Sequence, residues 1–514
     1  MQNCSSEIKD IVLKRYGDTD YLEILVDSAK FNEDVLDFCL NGNGDIHKES
    51  YYRDKYKKNV IIEFGSPNIA KPFHIGHLRS AIIGNVVANL KRSMGHYVTT
   101  INYLGDWGTQ FGLLQVGYEK HGNKQHLLND PMSHLSKIYA EINNDAQKDP
   151  SFTDRARKVF SEMENDRNHY AMENWKMFRE LSIKEYERMY KRIGVKFDSY
   201  DGESMYSKQS TEDLIETLSK MNLLVESNET GQKVVMINQK GQEKAVPLVK
   251  NDGSLLYVTR DIAAALDRKK RYNFDEMIYV VDKTQAGHFN ALFDILHLMG
   301  KPWSQNLHHV KFGRIAGMSS RRGNAVILDN ILNESKFRAL KAIESSKNVK
   351  IGKDELEEVS ESLGVAAVII NDLKNKLVAD ITFEWEEILH QKHNSGVSIQ
   401  YSHARLYNLQ KNCGVTLTQD IDFTCLSEPE AVYLLLVLAK YYEVILKTEK
   451  SLEPRILVLY IFELCHASNK AIQKLKVKGE NQTVAEARLR MFFVTRHVLA
   501  ESMKLLGIKP LNCI

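Results

Sequence analysis

Among the 514 residues no stretch approaches the roughly 20 consecutive apolar side chains of a membrane-crossing helix. The longest apolar runs are short and interrupted, so no membrane association is expected. No sign of charge dominates either. Lys and Arg number 69 and Asp and Glu 67, a formal net charge of +2. Contact with a nucleic acid must therefore come from local patches and not from a global basic field. The six cysteines (Cys4, Cys39, Cys413, Cys425, Cys465, Cys513) show no Cys-x-x-Cys spacing, which argues against a zinc ribbon and for free thiols in a reducing compartment. The first residues include Glu7, Asp10, Asp18 and Asp20. They lack the apolar centre of a secretory signal and the Arg- and Ser-rich character of a transit peptide. No internal repeat or low-complexity tract is present. What remains is an ordinary globular composition, 43% hydrophobic and 26% charged, in a chain long enough for about two to four domains.

One segment carries most of the information. Val60-Ile61-Ile62 reads as a buried strand. The residues that follow are Phe64-Gly65-Ser66-Pro67-Asn68-Ile69-Ala70-Lys71-Pro72-Phe73-His74-Ile75-Gly76-His77-Leu78. They read as a Gly/Pro-rich turn opening an apolar helix through Ile82, Ile83, Val86, Val87 and Leu90. His74 and His77 share one helix face. At a helix N-terminus they lie beside free backbone N–H groups and the positive end of the dipole, where phosphates bind. Gly76 leaves a flat spot for a base or ribose. This arrangement suits ATP-dependent adenylyl or nucleotidyl transfer. Two ordinary helix histidines would give the same tetrapeptide, but its place after a strand and turn is where open α/β sheets bind ligands. Zinc is a weaker reading, because no Glu separates the histidines and no third ligand of fitting spacing lies nearby.

The rest of the chain supplies a frame. Val98–Leu104 reads as a second strand, giving a parallel βαβ unit that ends in the Gly-rich turn Gly105-Asp106-Trp107-Gly108-Thr109-Gln110-Phe111-Gly112. From about 134 to 194 the period is helical, with Trp175, Phe178, Tyr186, Met189 and Ile193 as a core-facing stripe. Lys233–Leu248 alternates like strands. The α/β pattern resumes at Leu255-Leu256-Tyr257-Val258, followed by a helix through Ala263–Leu266 and a strand at Met277–Val281. After about Leu328 the strands disappear, and residues 334–514 read as helical throughout. From Gly396 onward there are 15 Lys and Arg against 11 Asp and Glu, with Lys470, Lys474, Lys476 and Lys478 close together. That mild excess suits an RNA-binding module or a solvated helix face.

Two further groups of residues can carry chemistry. Gly317-Met318-Ser319-Ser320-Arg321-Arg322-Gly323 follows a strand-like Val310-Lys311-Phe312. Small residues with paired arginines fit either a mobile phosphate clamp or a basic surface turn; the histidine helix on the same inferred sheet edge favours the clamp. Tyr257 and Asp261 are four apart and face one pocket if a helix starts there, and Glu203 is a second carboxylate on a turn. Two carboxylates and a phenol suit a planar guanidinium, gripped bidentately and stacked. Each taken alone is equally a structural ion pair or cap.

Taken together these segments resemble class I aminoacyl-tRNA synthetases, and among them the arginyl-tRNA synthetases. The resemblance rests on Ser66-Pro67-Asn68-Ile-Ala-Lys71-Pro-Phe-His74-Ile-Gly-His77-Leu-Arg79-Ser80 and on Asn102-Tyr-Leu-Gly-Asp106-Trp-Gly-Thr-Gln110. It rests also on Tyr257-x-Thr-Arg-Asp261, Gln400-Tyr401-Ser-His403-Ala-Arg405, and Met503-Lys-Leu-Leu-Gly507-Ile-x-Pro510. It runs from about Asn59 to the C-terminus and is most like the mitochondrial animal branch.

The resemblance implies an α/β fold: a Rossmann-type parallel-sheet catalytic domain with a helical insertion, followed by an all-α anticodon-binding domain. The implied divisions are a short N-terminal extension (1–58) and a catalytic domain (59–333, insertion about 120–250). A helical connector (334–395) and the anticodon-binding domain (396–514) follow. It implies ATP and accompanying Mg2+, L-arginine and tRNA(Arg) as partners, no tightly bound protein metal, and a monomer. His74, Gly76, His77, Met318 and Ser319 would bind ATP. Ser66, Pro67, Asn68, His77, Glu203, Tyr257, Asp261 and Gln285 would bind arginine, and Gln400, Tyr401, His403 and Arg405 the tRNA. The family's usual Lys-Met-Ser-Lys-Ser loop here lacks both lysines, so Lys71, helped by Arg321 or Arg322, is expected to supply that charge. A mitochondrial matrix location follows from the branch, with the cytoplasm as the alternative. A non-catalytic tRNA-binding paralogue and a small-molecule nucleotidylyltransferase are the competing functions. The second would need neither a helical C-terminal domain nor a guanidinium pocket.

Overall fold

The computed structural model describes residues 8–17, 19–41, 57–206, 208–239, 241–251, 255–316, 327–345, 351–352, 354–383, 385–388, 394–418 and 420–514. An antiparallel hairpin, β1 (Ile8–Tyr16) and β2 (Thr19–Val26), precedes helix α1 (Ser28–Asn41). The chain then alternates through β3 (Asn59–Glu63), α2 (Ile75–Ser93) and β4 (Tyr97–Leu104). Five helices follow: α3 (Thr109–His121), α4 (Lys124–Asn129), α5 (Pro131–Lys148), α6 (Ser151–Asn165) and α7 (Ala171–Arg192). After β5 (Ser199–Gly202) and α8 (Lys208–Lys220) comes an antiparallel sheet of β6 (Leu224–Glu226), β7 (Lys233–Gln239) and β8 (Gln242–Val249). The alternation ends with α9 (Tyr257–Tyr272), β9 (Glu276–Asp282), α10 (Ala286–Leu298) and β10 (Leu307–Phe312).

β3, β4, β5, β9 and β10 form one parallel sheet in the order β10-β9-β3-β4-β5. Numbered by appearance within the sheet this is 5-4-1-2-3, a doubly wound arrangement whose direction of growth reverses between β3 and β9. The crevice at the strand C-termini there is the place such sheets bind ligands. Both faces are apolar because helices cover both. Val60, Ile62, Ile278 and Val280 enter one core with α2, α7 and the C-terminal helices, while Ile61, Met277 and Tyr279 enter the other with α9 and α10. The stripe on α7 packs as expected: Phe178, Tyr186, Met189 and Ile193 are buried, and Trp175 is half-buried.

Two sequence expectations need correction. The α/β pattern that resumes at Leu255–Val258 does so with a helix and not with a strand. Leu255 makes a single bridge to Val249, and α9 starts at Tyr257. Val258, Ile262 and Ala265 are buried at helical spacing, a pattern that a four-residue apolar run cannot distinguish from a strand. Nor do strands end at Leu328. β11 (Ile315–Ala316) pairs in parallel with β12 (Ile381–Thr382), which is too short to leave a periodic signal.

The remainder is helical: α11 (Leu328–Ser345), α12 (Leu356–Leu373), α13 (Trp385–Ile388), α14 (Gly396–Asn412), α15 (Pro429–Ala439), α16 (Tyr441–Ser451), α17 (Arg455–Lys474) and α18 (Gln482–Leu505). These helices grip the far end of α2. The Lys91 ammonium lies 2.9 Å from Glu276 and 2.7 Å from Glu449 on α16, and Asn89 donates to the Leu505 carbonyl at 3.2 Å. Among the described residues no helix is long and apolar enough to cross a membrane.

Candidate active site

The turn between β3 and α2 is held in a costly backbone shape. Ser66 (φ 44°) and Ala70 (φ 60°) both adopt the left-handed conformation, which costs an L-residue about 1–2 kcal/mol. Side chains from three elements hold it. The Ser66 N–H donates to Asn102 at 3.1 Å, the Ala70 N–H to Ser182 at 3.0 Å, and the Gly65 N–H to Ser80 at 2.8 Å. The second Gly-rich turn lies alongside: Asn68 bridges Gly105, and a Cβ on Gly105 would sit 1.9 Å from Asn68 Oδ1. Only glycine lets the two turns meet.

His74 is the N-cap of α2. Its Nδ1 accepts from the Gly76 N–H at 3.1 Å, and the His77 Nδ1 accepts from the His74 N–H at 3.3 Å. The rings stack with centroids 3.7 Å apart. A Cβ at Gly76 would lie 2.8 Å from the His74 ring, so the glycine is what lets that ring fold over the helix start. With both Nδ1 atoms accepting, the protons sit on Nε2. Burial pushes both imidazoles down, helped for both by the Lys71 charge, and His77 reaches about 3. The pair is therefore neutral at physiological pH and offers two N–H donors.

These donors face a cleft of about 450 Å³ between the ends of β3 and β9, lined also by Ser66, Gly76, Gln285 and the chain from Phe312 to Ile315. The Ser66 hydroxyl oxygen is inaccessible and has no partner among the described residues. Lys71 is half-buried, with its ammonium 5.7 Å from the centre of the Tyr139 ring.

Glu203 and Asp261 are outside the lining of that cleft and act on each other through charge. Burial pushes Glu203 up to about 7; the charges of Asp261 and Asp106 push it the same way, and Arg260 opposes them. Asp261 Oδ2 lies 2.6 Å from His288 Nε2. Tyr257, one turn earlier than Asp261 on α9, is 69% exposed and lines a separate hollow with Glu164 and Arg260. Glu203 and Asp261 thus lie within range of each other's charge, and Tyr257 lines the neighbouring hollow. Met318, Ser319, Arg321 and Arg322 lie outside the described residues. Among the described residues no cluster of three or more His, Cys, Asp or Glu could hold a metal. Sequence reasoning passed over Arg260 and Glu164. The first stands inside the Tyr257–Asp261 segment, and the second carries no local signal, lying 96 residues from its partner.

Compared with known families, residues 45–385 match the family described as tRNA synthetases class I (R), catalytic domain. The chain belongs to the arginyl-tRNA synthetases. Residues 399–514 of the synthetase match the DALR anticodon binding domain. The probable mitochondrial arginine–tRNA ligase of Bos taurus is 43% identical over 455 residues, which is 88% of this chain and 78% of the bovine protein. The cytoplasmic arginine–tRNA ligase of Saccharomyces cerevisiae is 40% identical over 478 residues, 90% of this chain and 78% of the yeast protein. The solved Thermus thermophilus arginyl-tRNA synthetase superimposes with a TM-score of 0.81 over 100% of this chain and 90% of that one, at 18% identity, and shows the same fold. The chain is a class I arginine–tRNA ligase, whose partners are ATP, arginine and tRNA(Arg). Mitochondrial and cytoplasmic relatives match it at similar identity.

Two expected tRNA contacts of the synthetase are corrected. Gln400 is fully buried; it donates to the Lys509 carbonyl at 2.7 Å and accepts from the Leu511 N–H at 2.9 Å. His403 is buried with Nδ1 2.8 Å from the Leu511 carbonyl oxygen. Three apart on α14, they share its inner face and pin the C-terminal segment. Tyr401 is 57% exposed, and Arg405 donates to Asn469 at 3.1 Å.

Proposed function

We propose that the synthetase activates L-arginine in the β3/β9 cleft by positioning and charge stabilisation, without a side-chain nucleophile or base. The observation carrying this reading is the stacked, neutral His74–His77 pair capping α2 in one cleft with Ser66 and Gln285. Two Nε2–H groups donate to ATP phosphate oxygens, and they keep their proton count across neutral pH. Gly76 lies under the adenosine, and Met318 and Ser319 complete the ATP contacts. Ser66, Pro67, Asn68, His77 and Gln285 hold the amino and carboxylate groups of arginine. Glu203 and Asp261 grip its guanidinium, and Tyr257 stacks on it.

The arginine carboxylate attacks the α-phosphate and pyrophosphate leaves. Mg2+ accompanies the ATP, while Lys71, Arg321 and Arg322 offset charge on the leaving group. The terminal ribose hydroxyl of the tRNA then attacks the adenylate carbonyl and AMP departs. Tyr401, Arg405 and the exposed Lys470, Lys474, Lys476 and Lys478 contact the tRNA. We place the enzyme in the mitochondrial matrix as a monomer divided as 1–58, 59–333, 334–395 and 396–514, and localisation of the tagged full-length product tests the compartment.

Arginine-dependent charging of tRNA(Arg) tests the function; tRNA binding with no charging would favour a scaffold. Lys71→Ala should slow adenylate formation about 10²-fold, roughly 2.7 kcal/mol. Its ammonium lies near enough to depress both histidines, and unaltered pyrophosphate exchange in the variant would remove Lys71 from this role.

A further inference from the structure

Arg260 touches carboxylates on two different elements. Its Nη2 donates to Glu164 on α6 at 3.2 Å, and its Nη1 lies 4.0 Å from Glu203 Oε2. Glu164 is itself fixed, because the same oxygen accepts from the buried Trp107 indole N–H at 3.2 Å. One arm of the guanidinium is thereby held by a neighbour. The other stands within Coulomb range of Glu203 but beyond hydrogen-bond distance. Among the described residues the Glu203 carboxylate accepts no hydrogen bond, so its lone pairs are open to a ligand.

The surroundings of Glu203 otherwise oppose its charge. Asp261 faces it from α9, and Asp106 faces it from the turn after β4, though Asp106 is paired with Arg179 of α7 at 2.8 Å. Tyr103 of β4 also lies within reach, as a neutral phenol. Arg167 covers Trp107 at 4.4 Å and donates to the Ser204 carbonyl at 3.1 Å, which fixes the backbone beside Glu203.

We propose that Arg260 is a positioning residue for arginine recognition: anchored on Glu164, its guanidinium faces the Glu203 carboxylate from beyond hydrogen-bond distance and leaves that carboxylate open to the substrate guanidinium. This rests on the assignment of Glu203 to the arginine pocket. The sign is definite. Burial, Asp261 and Asp106 all push Glu203 upward, to about 7, and Arg260 pulls it down. Removing that positive charge raises the titration further, so that more of the carboxyl is protonated at pH 7, and the protonated acid is a poor partner for a guanidinium.

The test is the KM for arginine in pyrophosphate exchange with tRNA(Arg) present, from about pH 6 to about pH 8.5, a range that brackets the raised carboxylate. In the wild type KM should fall as pH rises through about 7. Arg260→Gln should move that fall upward by about one pH unit, raising KM about fivefold near pH 7 and about ninefold near pH 6, with the change in KM and not in kcat. Arg260→Lys should restore the wild-type profile. Glu164→Gln, which frees Arg260 to approach Glu203, should move the fall downward, and it reads the same linkage should Arg260→Gln not fold. A profile that stays in place in Arg260→Gln, or a KM raised equally at every pH, overturns the inference if Glu203→Gln raises KM. If Glu203→Gln leaves KM unchanged, the pocket assignment falls, and this inference with it.

Discussion

An Asp261→Asn enzyme should lose about 10²–10³-fold in kcat/KM for arginine, roughly 3–4 kcal/mol, most of it in KM. The substitution keeps the shape and removes the charge. A guanidinium brought into the pocket would then have one of its two anionic partners replaced by an amide, which presents donors to donors on one side. The rest of the field moves the opposite way. Asp261 is among the charges that push Glu203 and the buried Glu63 each up to about 7. Without it both become more fully ionised at neutral pH, so the acid limb of arginine binding should move downward even as affinity falls. Arginine-dependent pyrophosphate exchange across pH separates these effects. Discrimination against citrulline should fall most, because citrulline presents a neutral urea where the pocket is built for a cation. An Asp261→Asn enzyme that discriminates as well as the wild type would refute the assignment of Asp261 to the guanidinium.

What could be read from the sequence was local. The βαβ unit, the helix opening at His74 and the i, i+4 relation of Tyr257 and Asp261 depend on neighbours within one turn or one strand. Periodicity and turn chemistry report those directly. That Glu203 and Asp261 lie within range of each other's charge was legible only as chemistry, two carboxylates and a phenol that a cationic substrate would explain. The pairs that hold the site were not legible at all. Arg260 with Glu164 and Arg268 with Glu63, whose guanidinium and carboxylate lie 2.6 Å apart, join elements far apart in the chain, and a lone Arg or Glu has no period. For the same reason Gln400 and His403 looked like surface recognition residues. Which face of α14 is inside is decided by where the C-terminal segment returns, and the helix's own sequence does not encode that.

The largest effect on stability should come from Arg79, one position before Ser80 on α2. Its side chain is 1% exposed. Nε donates to Asp372 on α12 at 3.2 Å, and Nη1 donates to the Gly313 and Ala379 carbonyls at 2.7 and 2.9 Å. One guanidinium thus ties the histidine helix to the cleft lining at Gly313, to α12 and to the segment that follows it. Arg79→Ala should cost about 3–5 kcal/mol, because it strands a buried carboxylate and two carbonyls. The pH dependence identifies the cause. Burial pushes Asp372 up to about 6 even with Arg79 beside it. An acid raised on folding binds its proton more tightly in the native state, so stability falls as pH climbs from the unfolded value to the folded one. In the wild type that loss ends near 6; in Arg79→Ala the carboxyl is raised further and the loss continues through neutrality. The Tm deficit of the variant should therefore be wider at pH 8 than at pH 5, and a deficit constant across that range would mean that Asp372 is not the stranded group. Replacing both partners, Arg79→Met with Asp372→Leu, should recover part of the lost stability, since no charge is then left buried without a partner.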